Sequence, residues 1–323
     1  MSGGLDKKVR VLVVDDSAIV RKVLTRQLQK DPGIEVVGAA PDPYVAREMI
    51  VKHSPDVLTL DIEMPRMDGL TFLGKLMRYK PMPVIIVSSL TPKGSSLALE
   101  AMQLGALDVV CKPGAAYTVG DLADELIDKV KVAASGKVRK REAKPAGDSD
   151  GPPVANLPGL PANQLLAIGA STGGTVAIEQ VLKVLPPETP ATVITQHMPP
   201  DFTKAFAERL DGLCKLEVRE AQNGDALRAG RVLIAPGGLH LLVRRDGNRY
   251  VAVVKDGPRV HRQKPAVDVL FKSVARAAGQ HSVGVLLTGM GADGAEGLLA
   301  MRKVGAATAA QDEESCTVYG MPR

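Results

Sequence analysis

The sequence predicts two α/β units in one chain: a five-stranded parallel sheet first, then a larger, doubly wound parallel unit carrying an antiparallel hairpin. Three observations predict it. Short apolar runs alternate with amphipathic stretches through the first 130 residues, the rhythm of βα units with helices on both faces of a sheet. Between Ala134 and Pro161 the rhythm stops in a Pro- and Gly-rich, charged stretch, which reads as an interdomain linker. From Gln164 the alternation resumes. A length of 323 residues also exceeds what one core usually organises.

In the first unit, strands are expected at Val9–Val14, Ile34–Ala40, Val57–Leu60, Val84–Val87 and Ala106–Val110. Helical patterns fall between and after them, at Ala18–Gln29, Pro43–Lys52, Gly69–Tyr79, Ser95–Leu104 and Val119–Ala133. In the second, strand Leu165–Gly169 precedes helix Val176–Leu185, and strand Ala191–Gln196 precedes helix Phe202–Leu210. A β-rich middle follows at Cys214–Glu220, Arg231–Ala235, His240–Arg244 and Arg249–Lys255, with a hairpin signal at Arg245-Asp246-Gly247-Asn248. Helix Ala266–Ala278, strand Val283–Thr288, helix Asp293–Lys303 and a short strand near Ala306–Ala310 complete the reading. The expected boundaries are 1–133, a linker over 134–161, and 162–323.

Composition excludes several classes. Apolar residues make up 45% and charged residues 24%, an ordinary globular balance. With no Trp, four Phe and five Tyr, the cores must be aliphatic, which suits parallel sheets covered by helices. The same scarcity argues against a stacking platform for nucleic acid, and none is expected as a partner. The net charge of +5 is modest, and the basic run Lys137–Lys144 lies in the linker, where it reads as a solvated connector. Cys111, Cys214 and Cys316 are far apart and odd in number, so neither a disulfide framework nor a zinc site is indicated. No window reaches the ~20 apolar residues of a membrane span, and the N-terminus lacks an apolar signal core. The expectation is a cytoplasmic protein without membrane insertion.

The first cluster with chemistry is acidic. Asp15 and Asp16 follow the first strand, Asp61 the third, Ser88 the fourth and Lys112 the fifth. Ligands of open α/β sheets bind beyond the carboxyl ends of the strands, so all five share one edge. With strand order 2-1-3-4-5, Asp15 and Asp16 face Asp61. Crowded carboxylates repel unless a divalent cation lies among them, and oxygen-only ligation suits Mg²⁺. Here VLVVDDS, LTLDIEMPRMDG, VIIVSS and VVCKPG resemble the flavodoxin-like receiver domain of bacterial two-component response regulators. The resemblance covers about residues 8–130. It implies that Asp61 accepts a phosphoryl group from a sensor histidine kinase and that Asp15 and Asp16, with Asp61, hold Mg²⁺. It further implies that Ser88 senses the phosphoryl group, that Lys112 pairs with it, and that Lys112-Pro113 is a cis peptide.

The second unit centres on Gln164–Thr175. Apolar Leu165–Ile168 ends in Gly169-Ala170-Ser171-Thr172-Gly173-Gly174, and a helical pattern follows. A glycine-flanked serine between strand and helix matches the G-x-S-x-G form that exposes a nucleophile. The same glycines could cradle a phosphate. A serine nucleophile needs a base, and the base needs a group that fixes its tautomer. His197 follows the strand ending at Gln196, and Asp293 lies beyond the strand ending at Thr288. Taken singly, Ser171 and Asp293 could be helix N-caps and His197 a turn residue. Closing three parallel strands of one sheet, they read as a Ser-His-Asp set.

IGASTGG, TQHMPP, IAPGGLH, PAVDVLF, LLTGMGADGA and CTVYGMP resemble the catalytic domain of the bacterial chemotaxis protein-glutamate methylesterase. With the receiver in front, the resemblance spans nearly the whole chain. It implies Ser171 as nucleophile, His197 as general base and acid, Asp293 as its orienting carboxylate, and Thr172 and the Met290 amide as oxyanion donors. The implied reaction is demethylation of glutamate methyl esters, and deamidation of glutamines, on chemoreceptor cytoplasmic helices, with no cofactor for ester hydrolysis. The receiver would act as a phosphorylation-controlled lid over Ser171. Lys264-Pro265-Ala266 stands where the family usually has Arg-Pro-Ser, which bears on receptor contact because Lys and Arg are unequal carboxylate partners. The family continues past Gly320-Met321-Pro322-Arg323 with a further strand and helix, so a shortened C-terminal edge is expected. Rival readings are a receiver fused to a nucleotide-binding module, or a DNA-binding regulator. The second needs a helix-turn-helix where an α/β pattern stands.

Overall fold

The computed structural model describes residues 7–89, 91–112, 119–135 and 164–323. The chain divides into two compact units, Met1–Ala143 and Lys144–Arg323. The linker stretch from 136 on, and Pro113, whose peptide bond was expected to be cis, lie outside the described residues.

In the first unit, strands β1 (Val9–Val14), β2 (Ile34–Ala40), β3 (Val57–Asp61), β4 (Val84–Ser88) and β5 (Asp108–Cys111) form one sheet in the order β2-β1-β3-β4-β5. All its pairings are parallel. β3 and β4 are buried along their whole length, as strands covered on both faces must be. Helices α1 (Ala18–Leu28), α2 (Pro43–His53), α3 (Gly69–Tyr79), α4 (Pro92–Leu104) and α5 (Val119–Ser135) alternate with the strands. Local chemistry sets the starts of the first four. Ser17, Asp42, Asp68 and Thr91 each cap a helix N-terminus through the side chain, satisfying amides with no partner inside the helix.

The second unit has β6 (Leu165–Ala170), α6 (Gly174–Val184), β7 (Ala191–Gln196), α7 (Phe202–Asp211), β8 (Glu217–Glu220), β9 (Ala226–Leu227), β10 (Arg231–Ile234), β11 (His240–Asp246) and β12 (Arg249–Lys255). It closes with α8 (Val267–Ala278), β13 (Ser282–Leu286), α9 (Ala295–Lys303) and β14 (Ala307–Ala310). The main sheet runs β14-β13-β6-β7-β10-β8, parallel throughout. Chain order moves one way from β6 through β7 and the other way to β13. The sheet therefore turns at β6, and crevices of doubly wound sheets open at such a turn. β11, β12 and the two-residue β9 make a separate antiparallel sheet. Its hairpin closes over Gly247-Asn248, where Gly247 takes the positive φ (58°) that such tight turns demand. Leu270, Phe271 and Val274 of α8 join the strands' apolar residues in one buried core.

Several element ends move by one to three residues from expectation, among them β13, which stops at Leu286 rather than Thr288; two shifts have a local physical reason. Cys214–Leu216 is not strand: the Leu213 and Cys214 amides both donate to the Leu210 carbonyl, so the end of α7 takes up the chain there. α9 starts at Ala295 rather than Asp293, because the Asp293 side chain is committed elsewhere.

Candidate active site

Ser171 lies at the first position beyond β6, held through its backbone. Its amide donates to the Thr288 carbonyl (3.0 Å), and its carbonyl accepts from the Gly174 amide (2.7 Å) and from Gln196 Nε2 (2.9 Å). α6 is capped by Gly173, at φ 79°, with no side-chain bond, so Ser171 is not the helix cap. Its hydroxyl is left for other work. The glycines serve close packing. A Cβ on Gly289 would lie 2.7 Å from Ser171 Cβ and 2.3 Å from the Met321 sulfur, so only glycine lets the 288–291 loop reach the serine.

His197 follows β7, its amide donating to the Ala170 carbonyl at 3.1 Å. This ties it to the strand that carries Ser171. The ring is buried, and Nε2 lies 2.8 Å from Asp293 Oδ2. An ionised carboxylate can only accept, so Nε2 carries a hydrogen and donates it to Asp293. Nδ1 is buried and has no hydrogen-bond partner among the described residues. In the chymotrypsin arrangement Nδ1 faces the aspartate, whereas here Nε2 does. No hydrogen bond joins the Ser171 hydroxyl to His197 among the described residues, a looseness common before substrate binds.

Asp293 is buried beyond β13. Its Oδ2 also accepts from the Val267 amide (2.8 Å) and its Oδ1 from the Asp268 amide (2.9 Å), the first two residues of α8. α8 has no cap from its own N-cap residue, Ala266, and Asp293 supplies one from 25 residues downstream. Burial pushes its carboxyl up, but the bond and charge of His197 and the two amides outweigh this and hold it below the usual carboxylate value. Asp293 is thus a helix cap and a histidine partner at once. Thr172 is buried beside Ser171, its carbonyl accepting from Thr288 Oγ1 at 3.0 Å. Met290 sits on the loop packed against Ser171, and no described backbone carbonyl accepts from its amide.

In the first unit, oxygens of Asp15, Asp16 and Asp61 lie within 4.8 Å of one another. Asp15 and Asp61 are buried and Asp16 is exposed. Lys112 Nζ bridges the buried pair, 3.0 Å from Asp15 Oδ2 and 2.8 Å from Asp61 Oδ2. Burial raises the Asp61 carboxyl, and the charge of Asp15 adds to it, against the pull of Lys112. For Lys112, burial is outweighed by Asp61 and Asp15, which keep it charged. Ser88 Oγ donates to the Gly94 carbonyl at 3.2 Å, so in this state the hydroxyl is turned into the start of α4. Three converging carboxylates with nothing but oxygen to offer fit a hard divalent cation such as Mg²⁺.

Residues 166–323 match the family model described as CheB methylesterase, and residues 11–122 match the response regulator receiver domain. A protein-glutamate methylesterase/protein-glutamine glutaminase from Anaeromyxobacter dehalogenans (strain 2CP-C) is 59% identical over 317 residues, covering 98% of this chain and 88% of its own length. One of the same description from Syntrophus aciditrophicus (strain SB) is 56% identical over 316 residues, covering 98% and 92%. The chain belongs to the chemotaxis protein-glutamate methylesterase family.

In this methylesterase, Ser171, His197 and Asp293 follow neighbouring strands β6, β7 and β13 at the turning point of the sheet, with His197 and Asp293 in contact. Two buried polar residues bonded to these were not singled out from sequence. Gln196 grips the carbonyls of Ser171 (2.9 Å) and His197 (3.2 Å). A long polar side chain at the buried end of β7 was the available signal. Asp268, the fully buried second residue of α8, was the other. No helix of the described residues is long and apolar enough to cross a membrane.

Proposed function

We propose that the chain hydrolyses γ-methyl esters of glutamate side chains on chemoreceptor cytoplasmic helices, and deamidates glutamines there, with Ser171 as nucleophile. Ser171 Oγ attacks the side-chain carbonyl as its proton passes to His197 Nδ1. Asp293 holds Nε2–H and stabilises the imidazolium that forms. Thr172 and the Met290 amide donate to the developing oxyanion. Collapse breaks the C–OCH₃ bond, and methanol leaves with the proton from Nδ1. Water, deprotonated by the same nitrogen, then releases the glutamate carboxylate and restores Ser171. With glutamine as substrate, ammonia leaves instead. The observation that carries this reading is the orphaned, buried Nδ1 on an imidazole whose other nitrogen is fixed by Asp293.

The receiver supplies control. Asp61 takes the phosphoryl group of a sensor histidine kinase; Asp15, Asp16 and Asp61 would hold Mg²⁺, which would supply positive charge to offset that of the transferring group. Lys112 pairs with the phosphoryl oxygens, and Ser88 leaves Gly94 to meet them. Phosphorylation shifts the chain toward its hydrolysing state. The units proposed are 1–133 and 162–323, joined by 134–161. Methanol release from methylated receptor, with and without a phosphodonor, tests both halves. The parent should release methanol faster with the phosphodonor, and Ser171→Ala should release none. Turnover by Ser171→Ala would overturn the mechanism.

A further inference from the structure

The N-termini of α8 and α9 exchange carboxylates. Asp293, just before α9, accepts from the Val267 and Asp268 amides at the start of α8. Asp268, the second residue of α8, returns the arrangement. Its Oδ1 accepts from the Gly294 amide (3.1 Å) and the Gly297 amide (2.6 Å) at the start of α9. Neither helix has a side-chain cap from its own N-cap residue, Ala266 or Gly294, so each depends on the other's acid. Each helix dipole also favours the negative charge placed at its end.

This exchange fixes Asp293 twice. Its oxygens are held by α8, and its backbone is held because the next residue, Gly294, is tethered by Asp268. The reacting imidazole is one hydrogen bond further on, at His197 Nε2. Asp268 is itself balanced: its Oδ2 lies 3.0 Å from His261 Nε2 and 3.5 Å from Lys272 Nζ, and Lys272 also pairs with Glu296 of α9 (2.6 Å). His261 sits at the tip of a tight turn, with φ of 51° at His261 and 63° at Arg262, a conformation non-glycine residues seldom adopt. The turn closes through paired bonds between Val260 and Gln263 (3.0 and 2.9 Å).

We propose that Asp268 is a positioning residue for the hydrolytic site: it holds the Asp293 loop so that the carboxylate stays on His197 Nε2. The inference rests on the assignment of Ser171, His197 and Asp293 made above. Asp268 touches neither the ester nor the serine, and its effect passes wholly through Asp293.

The test is steady-state methanol release by the full-length protein, over a pH range, for the parent, Asp268→Ala, Asp268→Asn, Asp293→Asn and the double variant Asp268→Ala/Asp293→Asn. Small misplacements of an orienting group cost up to about 100-fold, so Asp268→Ala should lose about 10- to 100-fold in kcat. KM should stay within about twofold, since only a transition-state interaction is lost. The acid limb of the rate profile should move to lower pH, because a loosened Asp293 stabilises the imidazolium less. Asp268→Asn keeps an oxygen for the Gly294 and Gly297 amides and should recover most of the rate. In the Asp293→Asn background, Asp268→Ala should have no further effect, the coupling expected of residues that act as one unit. Should Asp268→Ala fail to fold, Asp268→Ser, which keeps an acceptor but shortens its reach, carries the same expectations. Parental kcat in Asp268→Ala, or an equal loss in both backgrounds with an unmoved acid limb, overturns the inference while leaving Ser171 in place. An inactive parent overturns the mechanism, and with it any role for Asp268.

Discussion

Replacing Asp293 with asparagine tests the orientation of the base. Three donors converge on the carboxylate: His197 Nε2 and the Val267 amide at 2.8 Å on Oδ2, and the Asp268 amide at 2.9 Å on Oδ1. An asparagine offers one oxygen to these three donors, so its NH₂ must confront at least one of them. If it faces the Asp268 amide, a buried donor goes unpaired at a cost of about 1–3 kcal/mol in stability. If it faces His197, the ring must present Nε2 as acceptor, which puts the hydrogen on Nδ1 where the Ser171 proton has to go. Either way the charge that stabilises the imidazolium is gone. Loss of kcat on the order of 10³–10⁴ is expected by analogy with the same substitution in serine proteases, equivalent to about 4–5.5 kcal/mol of barrier. Methanol release under saturating methylated receptor reads kcat, and circular dichroism confirms that the variant is folded. A folded Asp293→Asn with kcat within tenfold of the parent would refute the claim that Asp293 sets the tautomer.

Three further outcomes are expected. Asp61→Asn should take up no phosphate from a small-molecule phosphodonor and lose stimulation of methanol release by it; stimulation that persists would place the acceptor elsewhere. Gly289→Ala would press a methyl within 2.7 Å of Ser171 Cβ and 2.3 Å of the Met321 sulfur, so urea unfolding should show a loss of about 1–3 kcal/mol for overpacking, with kcat falling as well. The depressed carboxyl of Asp293 contributes stability that is complete above the ordinary value of 3.8 and lost as pH falls through its lower native value. The parent's Tm should therefore fall more steeply than that of Asp293→Asn as pH drops below about 4, and parallel curves would contradict the shift.

Much of the site was legible because strand ends are. β3 and β4 are apolar runs, broken only by Thr59, that end at Asp61 and Ser88, and an open parallel sheet sends whatever follows its strands to one edge. The same logic places Ser171 and His197 after β6 and β7. Asp293 was harder, lying seven residues past the end of β13 at Leu286, with Gly289 and Gly291 between. Its second role was hidden. Sequence suggested an N-cap for the helix that follows it, whereas it caps α8, and α9 takes its cap from Asp268. Such an exchange depends on two helix N-termini meeting in space, for which local periodicity carries no signal. Gln196 escaped for a related reason: its function is to grip backbone carbonyls, and any strand-end glutamine reads alike in sequence. β9 was missed because two residues have no period.

The central claim is that Ser171 forms a covalent acyl intermediate with the receptor's glutamate side chain. The direct measurement is methanol release from methylated receptor by the parent and by Ser171→Ala, together with labelling of each by a serine-directed acylating reagent. The account predicts turnover and labelling at Ser171 in the parent and neither in the variant. Methanol released by folded Ser171→Ala at a rate near the parent's would contradict it.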